Sequence, residues 1–571
     1  MSKTDTNFIS FSLLVLLFIV LIFNIELGEV QPWDEGLYAY RARAILESNQ
    51  WWDQSSVSLG GLYSSTYPPL VPWMIALNLQ IFGENLFAIR IFSVLCSTFA
   101  IFLFVFFLSK QFDYLITFLV GLNLLLSSHW LFYSRQGMTD IPLLFFILSN
   151  IIVTVKFLEE QYKTKQLVLG LLISFTFFLG LMTKIVLSFI PLLTLIFVYR
   201  YFPKKIFLKT LIFYALGLLL AMPWYFFMSM KYGTTFISSL FPPHLFSIVE
   251  ENRKSLGFFY YINQILISNP FLVLSFFSIF IRFKSKKFLN LFFSGNIVSD
   301  IFFFWFLSGL LIFSLAPTKL PHYTLYLLPP AFFLICELIS LHYNNLKLKE
   351  KTFLIIAVLF NLFWFFTPSF RQSIKEMNFE TPIISIALLL VAISIIGFIY
   401  FQERKRKIDF LSSQQLITTL FYIISSLLLV LSIINFASNP TGKVFGGERV
   451  SKFLMNHKIE SFVYLFHKAN DSDTLNPQIA WYSHGKYFGI NKSKGTVFLA
   501  LPINKIGLNE LKQLQKYPNF VVVYYISSPK LPAKIIVDEL IPERDILLLT
   551  PNYIIFGRKV RESKEINKKL I

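Results

Sequence analysis

A polytopic α-helical membrane protein carrying an external mixed α/β domain at its C-terminus is the fold class this sequence predicts. Hydrophobic residues make up 55% of the 571 and charged residues only 15%, well outside the usage of soluble domains. The apolar residues fall in runs long enough to cross a bilayer, which takes roughly 20 residues. After residue 438 these runs stop, and short strand-like and helix-like patterns alternate instead, the signature of a small α/β or α+β domain.

The runs lie at 8–27, 86–108, 112–132, 140–158, 166–183, 185–202, 206–229, 257–281, 297–316, 322–341, 352–369, 382–402 and 415–437, which predicts thirteen spans. One Lys precedes the first run and no small-residue cleavage site follows it, so it reads as a retained span. The net charge is +19, and its distribution matters more than its size. Basic residues cluster in alternate connections: Arg200, Lys204, Lys205 and Lys209; Arg282, Lys284, Lys286 and Lys287; Lys347, Lys349 and Lys351; Arg404, Lys405, Arg406 and Lys407. That is the positive-inside pattern, with the N-terminus cytoplasmic and residues 438–571 external. Nucleic acid as a partner would need one basic surface with stacking aromatics, which this scatter excludes. The two cysteines, Cys96 and Cys336, sit inside apolar runs and supply neither a disulfide framework nor a thiolate metal site.

The reading divides the chain at 437/438, with external loop helices at about 28–85 belonging to the transmembrane domain. In that loop Leu37, Tyr38, Ala42, Ile45 and Leu46 share one helical face while Arg41, Arg43 and Glu47 lie mostly elsewhere. Val71 to Phe82 is apolar but too short to span, so both stretches predict helices lying on the membrane surface. A second external segment, Lys231 to Leu256, carries His244, Glu250, Glu251, Arg253 and Lys254. In the C-terminal domain strands are expected at Ser461–His467, Thr496–Leu501, Phe520–Ile526 and Tyr553–Phe556, and helices at Glu448–His457 and Leu508–Lys516. No Gly-rich phosphate loop, metal-ligand cluster or internal repeat accompanies them.

Four features fall on the external side of this topology. Asp34-Glu35 follows the first span, Arg135 and Asp140 flank the start of the fourth, Lys184 lies between the fifth and sixth, and Lys319 between the ninth and tenth. Carboxylates at the edge of hydrocarbon are costly and point to chemistry or ion handling. Each also has a structural reading: Arg135 with Asp140 as an ion pair, Lys184 or Lys319 as side chains snorkelling to the interface. Together they suit a lipid-linked phosphate. Cations would neutralise it through charge-assisted hydrogen bonds, and a carboxylate would accept a proton from an attacking hydroxyl.

The order Asp34-Glu-x-x-Tyr38, Tyr67-Pro-Pro-Leu before Trp73, Arg135…Thr139-Asp140-Ile-Pro142-Leu, Leu181-Met-Thr-Lys184 and Lys319…Tyr323…Leu328-Pro329 resembles the GT-C glycosyltransferases. It is most similar to the lipid A aminoarabinose transferases and the bacterial relatives of protein O-mannosyltransferases, over the whole chain. Ala480-Trp481-Tyr482 is similar to a short aromatic motif of their external domain. The resemblance implies a bacterial cytoplasmic-membrane enzyme. It would move one sugar, hexosyl or pentosyl, from a polyprenyl-phosphate donor to a lipid, glycan or protein acceptor outside, with inversion. It implies Asp34 as the base, with Glu35 and Asp140 as further acidic residues of the catalytic set. Lys184 and Lys319 would bind the donor phosphate, Arg135 would support either role, and Tyr38, Tyr67 and Tyr323 would contact substrate. The chain departs from the aminoarabinose transferases at Thr66-Tyr67, where an acid-lysine pair is usual, and at Leu37, where a basic residue is common. His244 falls too early for the histidine of the large loop. No cofactor is expected, and a divalent cation has no supporting residues. A flippase of lipid-linked sugars, or a ligase of whole oligosaccharides, would share the phosphate site.

Overall fold

The computed structural model describes residues 14–15, 17–59, 61–240, 257–284, 294–316, 319–342, 445–459, 461–466, 476–484, 486–487, 497–502, 521–525, 545–551 and 553–557. The chain forms two compact units. One comprises Met1–Ile25 and Arg90–Asn439, the other Glu26–Ile89 and Pro440–Ile571. The first-loop helices, read from sequence as part of the transmembrane domain, thus group with the C-terminal segment.

Among the described residues six helices are long and apolar enough to cross a membrane: Leu86–Leu108, whose first turn is counted in the second unit, and, wholly in the first unit, Asp140–Glu159, Lys163–Leu181, Lys204–Leu240, Ile297–Leu315 and Pro321–Ser340. Two bent pairs raise this to eight if each is one span. The expected spans at 352–369, 382–402 and 415–437 lie outside the described residues, as do residues 8–13 and 16 of the first span and the basic clusters at 347–351 and 404–407; the described part of the first span is helical to residue 22.

The bent pairs replace two expected continuous spans, and local chemistry explains both. Ile116–Leu126 and Ser128–Ser134 meet at 65° across Ser127, whose backbone is extended. Its hydroxyl donates back to the Asn123 carbonyl at 2.8 Å. Tyr260–Ser268 and Val273–Phe283 meet at 119° across Asn269-Pro270. Pro270 has no N–H and biases Asn269 away from helical geometry, and the Asn269 side chain caps Phe271 N–H at 3.0 Å. Asn269 Nδ2 also donates to the Asn123 carbonyl at 3.0 Å, so the two breaks are tied together. The expected span at 185–202 is realised as the short helices Ile185–Ser188 and Ile190–Val198 and a 3₁₀ turn.

Close approach and polar bonds hold the long helices together, as expected where lipid removes the hydrophobic drive between them. A Cβ on Gly217 would stand 2.5 Å from the Ser174 carbonyl oxygen, and the Ser174 hydroxyl donates to the Phe213 carbonyl at 2.7 Å. Tyr214 donates to Asn150 Oδ1 at 2.6 Å, while Asn150 Nδ2 donates to Thr176 Oγ1 at 2.9 Å. At the start of Ile297–Leu315 a buried cluster joins Arg282 and Tyr201 to Asp300. Ser299 completes it by donating to Glu337 at 2.5 Å. Two of the basic connections meet at this end of the unit.

The second unit holds a five-stranded mixed sheet of β1 (Ser461–Phe466), β2 (Val497–Pro502), β3 (Val521–Tyr525), β4 (Asp545–Leu549) and β5 (Tyr553–Gly557), in the order β2-β1-β3-β5-β4. β2, β1 and β3 are parallel; β5 is antiparallel to β3 and to β4. Four of these strands match expectation. β4 was not foreseen, because a five-residue strand with four consecutive apolar residues has no alternation to reveal it. The helix Gly447–Asn456 lies where expected, and 508–516 falls outside the described residues.

The loop helix Asp34–Ser48 shares this unit's core, where its Tyr40 and the following Leu59 pack with Val450, Phe462, Ile479, Val523 and Ile555, and the helix Leu70–Phe82 packs against Asp34–Ser48. Glu29 tethers the returning chain: its Oε2 accepts from Phe445 N and Gly446 N at 3.0 and 2.8 Å and from Gln478 Nε2 at 2.8 Å. Burial raises its pKa and the backbone N–H donors work against that rise. Gly446 is needed there, since its φ is +97° and a Cβ would meet Thr550 at 2.2 Å.

Arg41 and Arg43, expected off the apolar face of a surface helix, are instead buried, and tertiary partners are the reason. Arg41 donates to Gln54 Oε1 and the Tyr67 carbonyl, both at 2.8 Å, and burial lowers its pKa to about 10. Arg43 grips Glu84 with two bonds of 3.0 and 2.8 Å. It stacks 3.6 Å over the Trp481 ring and donates to the Trp481 carbonyl at 2.7 Å. Arg43→Ala should therefore lower the unfolding midpoint in detergent by an amount equivalent to about 1–3 kcal/mol. Lys452→Ala, which breaks the exposed pair with Glu448, should stay within about 0.5 kcal/mol of the parent. Tryptophan fluorescence on heating compares the two.

Candidate active site

Asp140 is the first residue of the helix Asp140–Glu159, where unpaired N–H groups and the helix dipole favour a negative charge. Its side chain is 2% exposed. A charge so placed needs partners, and two elements supply three of them. Tyr326 OH donates to Oδ1 at 3.0 Å, Lys184 Nζ stands 3.5 Å from the same oxygen, and His322 Nε2 lies at 3.9 Å.

Local sequence explains each placement. The helix Lys163–Leu181 closes on a turn in which Thr183 N and Lys184 N both reach the Gly180 carbonyl at 2.9 Å. Lys184 then adopts an extended backbone before the helix Ile185–Ser188, which turns its side chain out of the helical path. Pro321–Leu327 is a 3₁₀ segment, and its three-residue period aligns Tyr323 with Tyr326. Tyr326 reaches Asp140, and the Lys184 ammonium lies 5.2 Å from the Tyr323 ring centroid.

Lys319 occupies the same neighbourhood in a different way. Its ammonium donates to the carbonyls of Ser314, Ala316 and Phe313 at 2.6, 3.0 and 3.5 Å, so it caps the C-terminus of Ile297–Leu315. Partial burial lowers its pKa. Phe313 stacks on Tyr323 at 5.5 Å between centroids, which links this cap to the ring facing Lys184. Arg135 is fully buried and donates to the carbonyls of Leu21 and Val20 at 3.0 and 3.2 Å. Arg90 donates to the Ile25 carbonyl at 2.8 Å. Two buried guanidiniums thus serve the carbonyls where the first helix ends.

In the second unit Asp34 opens the helix Asp34–Ser48 and is partly exposed, whereas Glu35 is fully buried. Glu35 Oε2 accepts from Gln31 N at 2.8 Å, fixing the entry of the helix. Tyr38 is buried and meets the exposed Tyr67 edge-on at 6.4 Å. The segment 241–256, with His244, lies outside the described residues. Among the described residues no three His, Cys, Asp or Glu side chains gather as a metal site would require.

The structure therefore brings Asp140, Lys184 and Tyr323 together, adds Lys319 through Phe313, and turns Arg135 to backbone carbonyls. Sequence reasoning missed His322 and Tyr326 as partners of Asp140. The available signal was the i, i+3 spacing of tyrosines in a proline-flanked segment, which has meaning only once that segment is known to be 3₁₀.

A family model described as dolichyl-phosphate-mannose-protein mannosyltransferase matches residues 66–227. The fold is similar to that of ArnT from Cupriavidus metallidurans in the apo state, with a TM-score of 0.65 at 13% identity over 97% of this chain and 98% of that one. It is likewise similar to ArnT from the same organism bound to undecaprenyl phosphate, with a TM-score of 0.63 at 12% identity over 98% and 99% of the two chains. The Archaeoglobus fulgidus oligosaccharyltransferase in the apo form aligns with a TM-score of 0.51 at 10% identity, over 90% of this chain and 69% of that one. No match is found among curated proteins. The chain has the GT-C fold that its sequence motifs imply.

If Asp140 and Lys184 form one electrostatic unit, their substitutions will not add. Asp140→Ala leaves an ammonium without its carboxylate and should cost about 1–3 kcal/mol of thermal stability in detergent. Adding Lys184→Ala should recover part of that loss. Additive losses in the two-by-two comparison would show that the pair is not coupled.

Proposed function

We propose that the protein is a membrane glycosyltransferase that moves one sugar from a polyprenyl-phosphate donor to an acceptor hydroxyl outside the cytoplasm. One observation carries the reading. A half-buried lysine, paired at long range with a buried carboxylate and faced by tyrosines, stands at one end of an apolar bundle of the fold that ArnT has in complex with undecaprenyl phosphate.

Orientation follows from charge. The basic connections that meet at Arg282 lie at the start of Ile297–Leu315, and Lys319 caps its other end. That helix has 19 residues and is about 28 Å long, close to one bilayer core. Positive charge marks the cytoplasmic end, so the Asp140 end is external. A cysteine at Lys205 should then be shielded from an impermeant reagent in intact cells and one at Lys452 modified. Modification of both without permeabilisation would overturn this topology, and modification at Lys205 with shielding at Lys452 would reverse it.

In the reaction the acceptor oxygen attacks the anomeric carbon while its proton passes to a carboxylate. The bond from that carbon to the phosphate oxygen breaks, and the electron pair leaves with the lipid phosphate. A phosphate leaving group needs cations rather than an acid, and Lys184 is assigned that role, with Lys319 adding positive potential. Asp34 is assigned as the base, because it is the accessible member of the acidic pair while Glu35 is committed to Gln31 N–H. Inversion follows from a single displacement. Tyr67 and Tyr323 are assigned as aromatic surface for sugar and acceptor, with the buried Tyr38 backing Tyr67 edge-on. The likeness to an oligosaccharyltransferase favours, as a second reading, transfer of a longer glycan.

Asp34→Asn keeps the size and removes the basicity. It should lower turnover by about 100-fold or more and leave lipid phosphate bound, whereas Lys184→Ala should weaken binding of undecaprenyl phosphate. Mass spectrometry of products from labelled polyprenyl-phosphate sugars measures the first effect and separates one sugar from many. Turnover near the parent level in Asp34→Asn removes that residue from the role.

A further inference from the structure

Asp140 Oδ1 faces more donors than it can accept. An ionised carboxylate offers about two lone-pair directions per oxygen, yet Tyr326 OH, Lys184 Nζ and His322 Nε2 converge on this one oxygen at 3.0, 3.5 and 3.9 Å. The tyrosine hydroxyl, at true hydrogen-bond distance, takes one direction. Lysine and histidine compete for the other. His322 is the only one of the three whose charge ordinarily changes between about pH 5 and about pH 8.

The surroundings of His322 restrain the ring without fixing its charge. Tyr133 meets it edge-on at 5.8 Å and Tyr323 at 4.8 Å. His129 stacks on Tyr133 and shares a 3.0 Å hydrogen bond with Gln264. Asp140 attracts the charged form of His322. Among the described residues, the charged and titratable groups around it include Asp140, Lys184, His129, Tyr133, Tyr323 and Tyr326.

We propose that His322 is a positioning residue for the donor phosphate: its protonated ring takes the second direction of Asp140 Oδ1 and frees the Lys184 ammonium to engage the phosphate. This rests on the reading that Lys184 holds the donor. With neutral His322 the lysine stays on the carboxylate and its charge is largely cancelled. With imidazolium present the cluster gains one positive charge, and that charge sits where an anion binds.

The test uses the full-length protein in detergent and the methyl ester of undecaprenyl phosphate. This diester carries one charge that does not titrate in the range studied, so only the protein's protons report. Binding is measured between about pH 5.5 and about pH 8.5, the range of an ordinary histidine. The parent should bind about 3- to 10-fold more weakly at the alkaline end, the scale of roughly one lost charge interaction. His322→Gln and His322→Asn should bind with one affinity throughout, near the parent's alkaline value. His322→Arg should bind tightly at both ends. A pH-independent parent, or Gln and Asn variants that keep the parent's slope, overturns the proposal. Lys184→Ala distinguishes the premise: loss of binding at every pH supports it, and unchanged binding overturns the lysine assignment itself.

Discussion

The burial of one carboxylate organises one end of the helical unit. Asp140 is nearly inaccessible at the start of a membrane helix, in surroundings where an uncompensated charge is far costlier than in water. Every neighbouring element answers that cost. The turn after Gly180 delivers an ammonium, the 3₁₀ segment delivers a hydroxyl and an imidazole, and Lys319 closes the helix against which Tyr323 stacks. An arrangement that gathers an ammonium and an imidazole beside one carboxylate can also take up an anion, and the proposed donor phosphate is such an anion.

Not every cation at this end serves a ligand. Arg90 and Arg135 place their guanidiniums on carbonyls at the end of the first helix, where the final turn leaves acceptors unpaired. In a medium without water such groups must be satisfied internally, and arginine, with five donors, does this well. The opposite end shows the same economy, with Arg282, Tyr201, Ser299, Asp300 and Glu337 linked in one buried network. Helix breaks obey it too: the interruptions at Ser127 and at Asn269 are joined by the Asn269 side chain rather than left open.

The second unit shows how a loop becomes part of a domain. Tyr40 and Leu59 complete the apolar core under the sheet, Glu29 collects the N–H groups of Phe445 and Gly446, and Arg43 lies against Trp481. The residue nominated as base opens a helix held by these contacts, so its backbone is fixed by a core rather than by a free loop. Glu35, adjacent in sequence, is consumed in fixing the helix entry. Two neighbouring carboxylates thus have different capacities for chemistry.

Sequence alone determined that this is a many-span membrane protein with a mixed α/β end, because hydrophobic run length and charge placement are properties of the linear chain. It also singled out Asp140 and Lys184, since charged residues next to apolar runs stand out whatever the fold, while Tyr323 came only through the family resemblance. Four of five strands were legible for the same reason, while β4 lacked the alternation that marks a strand. Only the tertiary structure could decide which polar residues meet. Arg41 and Arg43 read as lying mostly off the apolar face and are buried, because their partners at Gln54, Tyr67, Glu84 and Trp481 come from other parts of the chain. Arg135 sits five residues before Asp140, yet its guanidinium serves carbonyls more than a hundred residues away. His322 and Tyr326 gain meaning from a 3₁₀ period and from an oxygen 182 or more residues distant. Hydrophobic pattern is local and survives in one dimension; electrostatic partnership is settled in three, by which groups the packed helices bring within reach.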